Sequence, residues 1–365
     1  MATPLKNVFF QTLLNNRSRL NIISVYRTLL SEADTKIDRY WRQRIFKADE
    51  LGTSGKSTLL QKLSNVKSPL DAKLCAYEII DLIHVADTKQ EVILLENLLC
   101  LLSESGITDI ENFNFGASII RLYHYLGLPE EAYALFKSHK CKEFLMDNTC
   151  HKVLMDLLYN HKQYQKVLDV FASLQKFNID CITLALGAHY HINTEESFEA
   201  AQKLIKDYLK NYSLSRRAIM FYCMLAIQQN HPKEALQALN NCQPNNVTFN
   251  MKLISLAKLG QSSELMKSLV KVKSETENIS RPLDVRLFSD TMKEISESLN
   301  ESLSPRDFAS ARFLIEDLGE RGVLSRQVIT IFLDRTIPGN VGNRKQGGKQ
   351  KVVRDSQRDT HPRLS

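Results

Sequence analysis

The sequence predicts an all-α protein, a right-handed α-solenoid of helix-turn-helix repeats, and three observations point there. The first is scarce turn chemistry: 365 residues carry only 13 Gly and 9 Pro, and Gly339, Gly342, Gly347 and Gly348 fall near the C-terminal end. A β-sandwich or barrel places Gly and Pro between many short strands, so that class is disfavoured. The second is the 43% apolar content, enough to bury a large core and spaced as helix faces. The third is an octet of second-helix character that recurs along the middle of the chain, as set out below.

Residues 1–31 are read as a mitochondrial presequence. They contain no acid, while Lys6, Arg17, Arg19 and Arg27 are spread among Phe9, Phe10, Leu13, Leu14, Leu20, Ile22 and Ile23. An acid-free, Arg-bearing segment able to form an amphipathic helix fits an import address. No apolar stretch reaches the roughly 18 residues of a membrane span, since the run at 92–102 is broken by Glu96 and Asn97. Membrane insertion is therefore not expected.

Residues 32–75 form an N-terminal helical segment. Within it Gly52-Thr53-Ser54-Gly55-Lys56-Ser57-Thr58 invites comparison with a phosphate-binding loop. That loop needs four residues between its first Gly and the Gly-Lys pair, and only Thr53 and Ser54 intervene. No apolar strand precedes it. A plain helix start or loop is expected, without nucleotide.

Residues 76–337 hold the repeats. Pro129-Glu130-Glu131-Ala132-Tyr133-Ala134-Leu135-Phe136 is followed 35 residues later by Tyr164-Gln165-Lys166-Val167-Leu168-Asp169-Val170-Phe171. Phe198-Glu199-Ala200-Ala201 and Pro232-Lys233-Glu234-Ala235 open two more, each 34 residues further on. Pro suits the first helical position. A second apolar-periodic stretch precedes each octet, at 117–125, 153–159, 184–191 and 218–227. The unit is a helical hairpin that cannot cover its own apolar face, and stacking solves this. A fifth unit runs from Val247 to Leu269, and a divergent one ends at Gly322-Val323.

Val247-Thr248-Phe249-Asn250, the Leu259-Gly260 turn, the Glu-Glu-Ala and Lys-Glu-Ala second helices and the terminal Gly106-Ile107 and Gly322-Val323 resemble the pentatricopeptide repeat. The tetratricopeptide repeat is the competing helical hairpin, but its Trp signature is missing: Trp41 is the only Trp and lies outside the repeats. The resemblance implies that the first helices line a concave face and hold single-stranded RNA, about one base per repeat. Carried over by position, the RNA-binding residues would be Asn114, Arg121 and Tyr125, then Lys152 and Asn160, then Tyr190, then Arg217 and Gln228, then Asn250 and Lys258. The cations and amides would bond phosphates or base edges and the tyrosines would stack. The chain departs from the pattern at the base-reading position. Asn250 stands there in one repeat, but Ala117, Lys152, Leu186 and Met220 stand in the others, so no per-base code is legible.

Residues 338–365 are expected to be a disordered basic tail, with seven basic and two acidic residues and few large apolar ones. Charge is uneven along the chain. Of the net +7, residues 1–47 contribute +6 and the tail +5, which leaves the body at −4. RNA binding would then depend on where individual cations sit, not on an overall field.

Seven cysteines occur without any Cys-x-x-Cys pair. Neither His189-x-His191 nor Cys150-His151 has a matching second pair, so no metal site, cofactor or secreted disulfide framework is expected. Nor is catalysis, since no nucleophile elbow is present and the tail leaves no room for the metallonuclease domain that some pentatricopeptide proteins carry.

The resemblance implies a protein of the mitochondrial matrix that binds single-stranded mitochondrial RNA. It would support transcript processing, maturation or stability, and through that respiratory-chain assembly, together with a separate nuclease or ribosome-associated factor. The alternative is a tetratricopeptide-like, protein-binding scaffold without RNA contact.

Overall fold

A computed structural model describes residues 29–336, except for short interruptions at 108–109, 112, 139–141, 175–177, 210–213, 243 and 278–284. The expected address up to residue 28 and the expected tail lie outside the described residues. The described chain is a solenoid of stacked helical hairpins with one two-residue strand pair.

The chain enters through α1 (Glu32–Thr35) and α2 (Ile37–Ser64), followed by α3 (Pro69–Leu74), α4 (Ala76–Val85) and α5 (Lys89–Glu104). The hairpins follow. They are α6 (Phe115–Leu126) with α7 (Pro129–Lys137); α9 (Asn148–Asn160) with α10 (Tyr164–Ala172); α11 (Ile179–Ile192) with α12 (Glu195–Leu209); α13 (Arg216–Gln228) with α14 (Pro232–Asn240); and α15 (Asn246–Lys258) with α16 (Ser262–Glu277). A short α8 (Lys142–Leu145) lies between the first two. Beyond them, β1 (Leu287–Phe288) leads into α17 (Ser289–Ser302) and α18 (Pro305–Glu320), and β2 (Leu324–Ser325) into α19 (Ile329–Leu333). The strands pair in parallel, Leu287 with Leu324 and Phe288 with Ser325.

Local chemistry sets the helix starts. Side chains of Asn114, Asp147, Asn178, Ser215 and Asn245 cap the five first helices. Each satisfies a backbone N–H that the first turn leaves without a partner. Pro129, Pro232 and Pro305 occupy first-turn positions, where a missing N–H costs nothing. Inside each hairpin the chain reverses through a left-handed residue: Gly127, Lys162, Asn193, Asn230 and Gly260.

First helices pack on first helices from α6 through α9, α11, α13 and α15 to α17, and each second helix packs on its own partner. Burial shows the layering. In α11 every residue from Cys181 to Ala188 is buried, a run that covers all faces of a helix, whereas α10 buries only Val167 and Val170. A helix apolar all round must be enclosed, while an amphipathic one forms the outer layer. Close approach is built in at Gly116, where a Cβ would lie 1.9 Å from the Phe144 carbonyl oxygen of α8.

The Gly-Thr-Ser-Gly-Lys-Ser-Thr stretch lies within α2, which is kinked at Gly52 (φ 61°). Lys56 there pairs with Asp87 at 3.0 Å and Glu91 at 3.1 Å, so the segment braces α2 against the capped start of α5. Among the described residues no helix is long and apolar enough to cross a membrane, and no three His, Cys, Asp or Glu side chains gather as a metal site would require.

Candidate nucleic-acid interface

The residues placed on the concave face do lie on the first helices, but most of them are occupied by other parts of the same chain. They form two groups, one under each end of the described structure.

In the N-terminal group, Asn114 caps α6 by accepting from the Ala117 N–H at 2.8 Å and donates to Asp147 at 2.9 Å. It ties one hairpin's cap to the next. Arg121 is buried and its Nε donates to the Thr35 carbonyl at 2.9 Å. Burial pulls its pKa below the ordinary guanidinium value. Tyr125 lies under the Arg44 guanidinium, 4.1 Å from ring centroid to Cζ. Lys152 pairs with Asp180 at 3.1 Å. Asn160 donates to Asp156 at 3.2 Å, a fully buried carboxylate that also accepts from the Leu30 N–H at 3.3 Å.

The segment that covers this end is 29–35. Leu29 and Leu30 are buried and Ser31 caps α1. The expected presequence of residues 1–31 overlaps this segment at 29–31, and its remainder lies outside the described residues.

In the C-terminal group, Tyr190 is buried against His191 and Phe221, at centroid distances of 4.9 and 5.6 Å. Burial pushes its pKa up to about 12. Gln228 is exposed at the end of α13. Arg217 donates through one Nη to the carbonyls of both Phe332 and Leu333, and burial lowers its pKa too. Asn250 is fully buried. Its Nδ2 donates to the Asn246 and Arg286 carbonyls, both at 2.7 Å, and its Oδ1 accepts from the Phe288 N–H at 2.9 Å. The amide expected to read a base is instead a backbone clasp for β1. Lys258 stands apart and pairs with Glu294 at 3.1 Å. Ala117, Leu186 and Met220, the apolar occupants of the base-reading position, are buried in the core.

Sequence reasoning missed the strap that covers the second group. After β2, Ser289 N–H donates to the Gln327 carbonyl at 3.0 Å, and the Ile329 N–H donates to Asp290 at 2.9 Å. The strap, α19 and the residues beside it, then crosses α13 and α15. Ile329 and Leu333 are fully buried in the main core, Phe332 stacks on Phe288 at 4.8 Å, and Asp334 lies 3.6 Å from His191. Asp290 at the start of α19 and Arg217 at its end match the short helix's dipole and its unpaired backbone groups. No local pattern announces these contacts, since Arg217 and Phe332 are 115 residues apart.

A second feature is open. A cleft of about 640 Å³ is lined by Arg39, Arg42, Gln43, Phe46, Lys47, Ile80, Asp81 and His84. Phe46 is 69% exposed and Arg39 is also exposed. Arg42 is paired with Asp38, and Lys47 with Glu50 and Asp81. Cations beside a solvent-facing aromatic ring offer phosphate contact and a stacking plane together.

Comparison with known proteins places this architecture. The chain is 27% identical over 274 residues to the human "Pentatricopeptide repeat-containing protein 2, mitochondrial", covering 72% of this chain and 69% of the relative. The protein of the same name in Danio rerio is 25% identical over 255 residues, 64% of this chain and 66% of its own. The chain is related to the pentatricopeptide repeat proteins. No family model matches it. The mouse protein of that name extends the similarity, at 26% identity over 210 residues.

Proposed function

We propose that this pentatricopeptide-related chain is a mitochondrial protein that binds single-stranded RNA along its first helices and supports the processing, maturation or stability of mitochondrial transcripts, and so respiratory-chain assembly. The observation that carries the reading is the uninterrupted stack of first helices from α6 to α17 in a chain similar to mitochondrial pentatricopeptide repeat proteins. RNA approaches at the open cleft, where Phe46 stacks a base and Arg39 meets phosphate, and continues over Lys152 and the face of α11 and α13. Base preference is weak, because the interior positions that would read edges are apolar and buried. The chemistry that follows belongs to a separate nuclease or ribosome-associated factor. The basic residues beyond 337 add phosphate contacts.

The test is salt-dependent affinity for a single-stranded RNA oligonucleotide. With about three phosphates neutralised, affinity drops about twenty-fold between about 50 and 200 mM salt. Replacing Arg39 and Phe46 together by Ala lowers affinity on the order of ten-fold, by removing one stacked base and one phosphate contact. Salt-insensitive binding, or an unchanged double variant, refutes the reading.

A protein-binding scaffold is the second reading, and one observation favours it. The first-helix face already holds a polypeptide, residues 329–335, through Arg217 and Asp290. Under that reading a peptide from a partner is held in the same manner.

A further inference from the structure

The strap offers the face of α11, α13 and α15 the same chemical groups that a nucleotide would. Asp334 supplies an anion 3.6 Å from His191. The Phe332 and Leu333 carbonyls supply acceptor oxygens to Arg217. Phe332 supplies a planar ring, stacked on Phe288 at 4.8 Å and with the Arg335 guanidinium 4.3 Å from its centroid. Anion, acceptor oxygens and stacked ring lie within three consecutive residues, about the reach of one or two nucleotides.

The residues beneath the strap are the polar ones that the first helices retain in this region. Arg217 donates to the strap's Phe332 and Leu333 carbonyls, His191 meets the Tyr159 hydroxyl at 3.0 Å as well as Asp334, and Tyr190 bonds Gln228, while the neighbouring positions Leu186 and Met220 are buried and apolar. Arg217 extends between backbone carbonyls that belong to no hairpin. A cation held on this face by so few strap atoms is one that a phosphate can take over, since charge-assisted bonds to an anion exceed those to neutral carbonyls.

We propose that residues 329–335 form an autoinhibitory strap, a nucleotide mimic that occupies the first-helix face until RNA displaces it. The inference rests on the RNA reading given above and adds its regulation. The strap is one short helix that belongs to no hairpin, anchored by Ile329 and Leu333 at its ends and followed by exposed chain from Asp334. RNA affinity is then reduced by the fraction of molecules in which the strap is seated. A ligand that binds only the open face shifts that balance.

The test compares the full chain with its Ile329→Asp/Leu333→Asp variant, which unseats the strap and leaves Arg217, His191 and Tyr190 intact. The readout is anisotropy of a labelled single-stranded RNA oligonucleotide. The expected result is at least ten-fold tighter binding by the variant. Hydrogen exchange of amides 329–334 in the unmodified chain gives an independent measure, with protection lost when RNA is added. Equal affinities, with strap amides equally protected at saturating RNA, overturn the strap while leaving the RNA reading in place. Absence of RNA binding by either form overturns both. Should the variant fail to fold, exchange in the unmodified chain decides by itself: protection that persists at saturating RNA overturns the proposal.

Discussion

At the scale of single residues, Asn250 shows how a side chain that matches a recognition position can be spent on structure. It satisfies the Asn246 and Arg286 carbonyls and the Phe288 N–H from full burial. Asn250→Ala removes the side-chain partner of the Arg286 carbonyl and of the buried Phe288 N–H, the latter worth about 1–3 kcal/mol when left unsatisfied. The expected outcome is a loss of about 1–3 kcal/mol in denaturant unfolding, with no change in base preference among RNA oligonucleotides. A residue that reads a base behaves in the opposite way, changing preference at little cost in stability. Arg121 differs only in degree, because its Nε bonds the Thr35 carbonyl.

At the scale of elements, the hairpin is repeated in its turn as well as in its helices. Five hairpins reverse through a left-handed residue, which is Gly at 127 and 260, Asn at 193 and 230, and Lys at 162. A Cβ in that conformation costs about 1–2 kcal/mol, least for Asn. Lys162→Gly is therefore expected to raise the unfolding free energy by up to about 1 kcal/mol, and Gly260→Ala to lower it by about as much. Urea midpoints for the two variants check both signs. The elements were legible because each is encoded within one 34- or 35-residue unit. The octet opening at Pro129 became α7, and the stretch read at 218–227 lies inside α13. The interface was less legible for the converse reason. Leu30 meets Asp156 across 126 residues and Arg217 meets Leu333 across 116, and helical periodicity carries no information at that range. Periodicity also reports that a first helix is apolar, not whether solvent, RNA or the chain's own ends cover it.

At the scale of the whole molecule, enclosing the first helices has a consequence for pH. Burial lowers the pKa of His84, His161, His189 and His191, with His189 brought to about 4. In the unfolded chain these side chains titrate near the ordinary value of about 6.5. Between the two values the unfolded state binds more protons than the folded one, so stability falls as pH drops from about 6.5 toward 4. Each histidine contributes a slope of up to about 1.4 kcal/mol per pH unit while its two states differ. The alkaline side carries the opposite imbalance. Burial pushes Cys181 and Tyr40 up to about 12 and raises Cys150 and Cys223 still further. Above about pH 8.5 unfolded thiols ionise while the buried ones stay protonated, so the folded state binds more protons and stability falls again as pH rises. The expected profile is a maximum between about pH 7 and 8. Urea unfolding across pH 5 to 10 measures it, and His189→Gln isolates one contribution by flattening the acid limb. A profile that climbs from pH 7 to 5 contradicts enclosure of these histidines, and with it the covered first-helix layer.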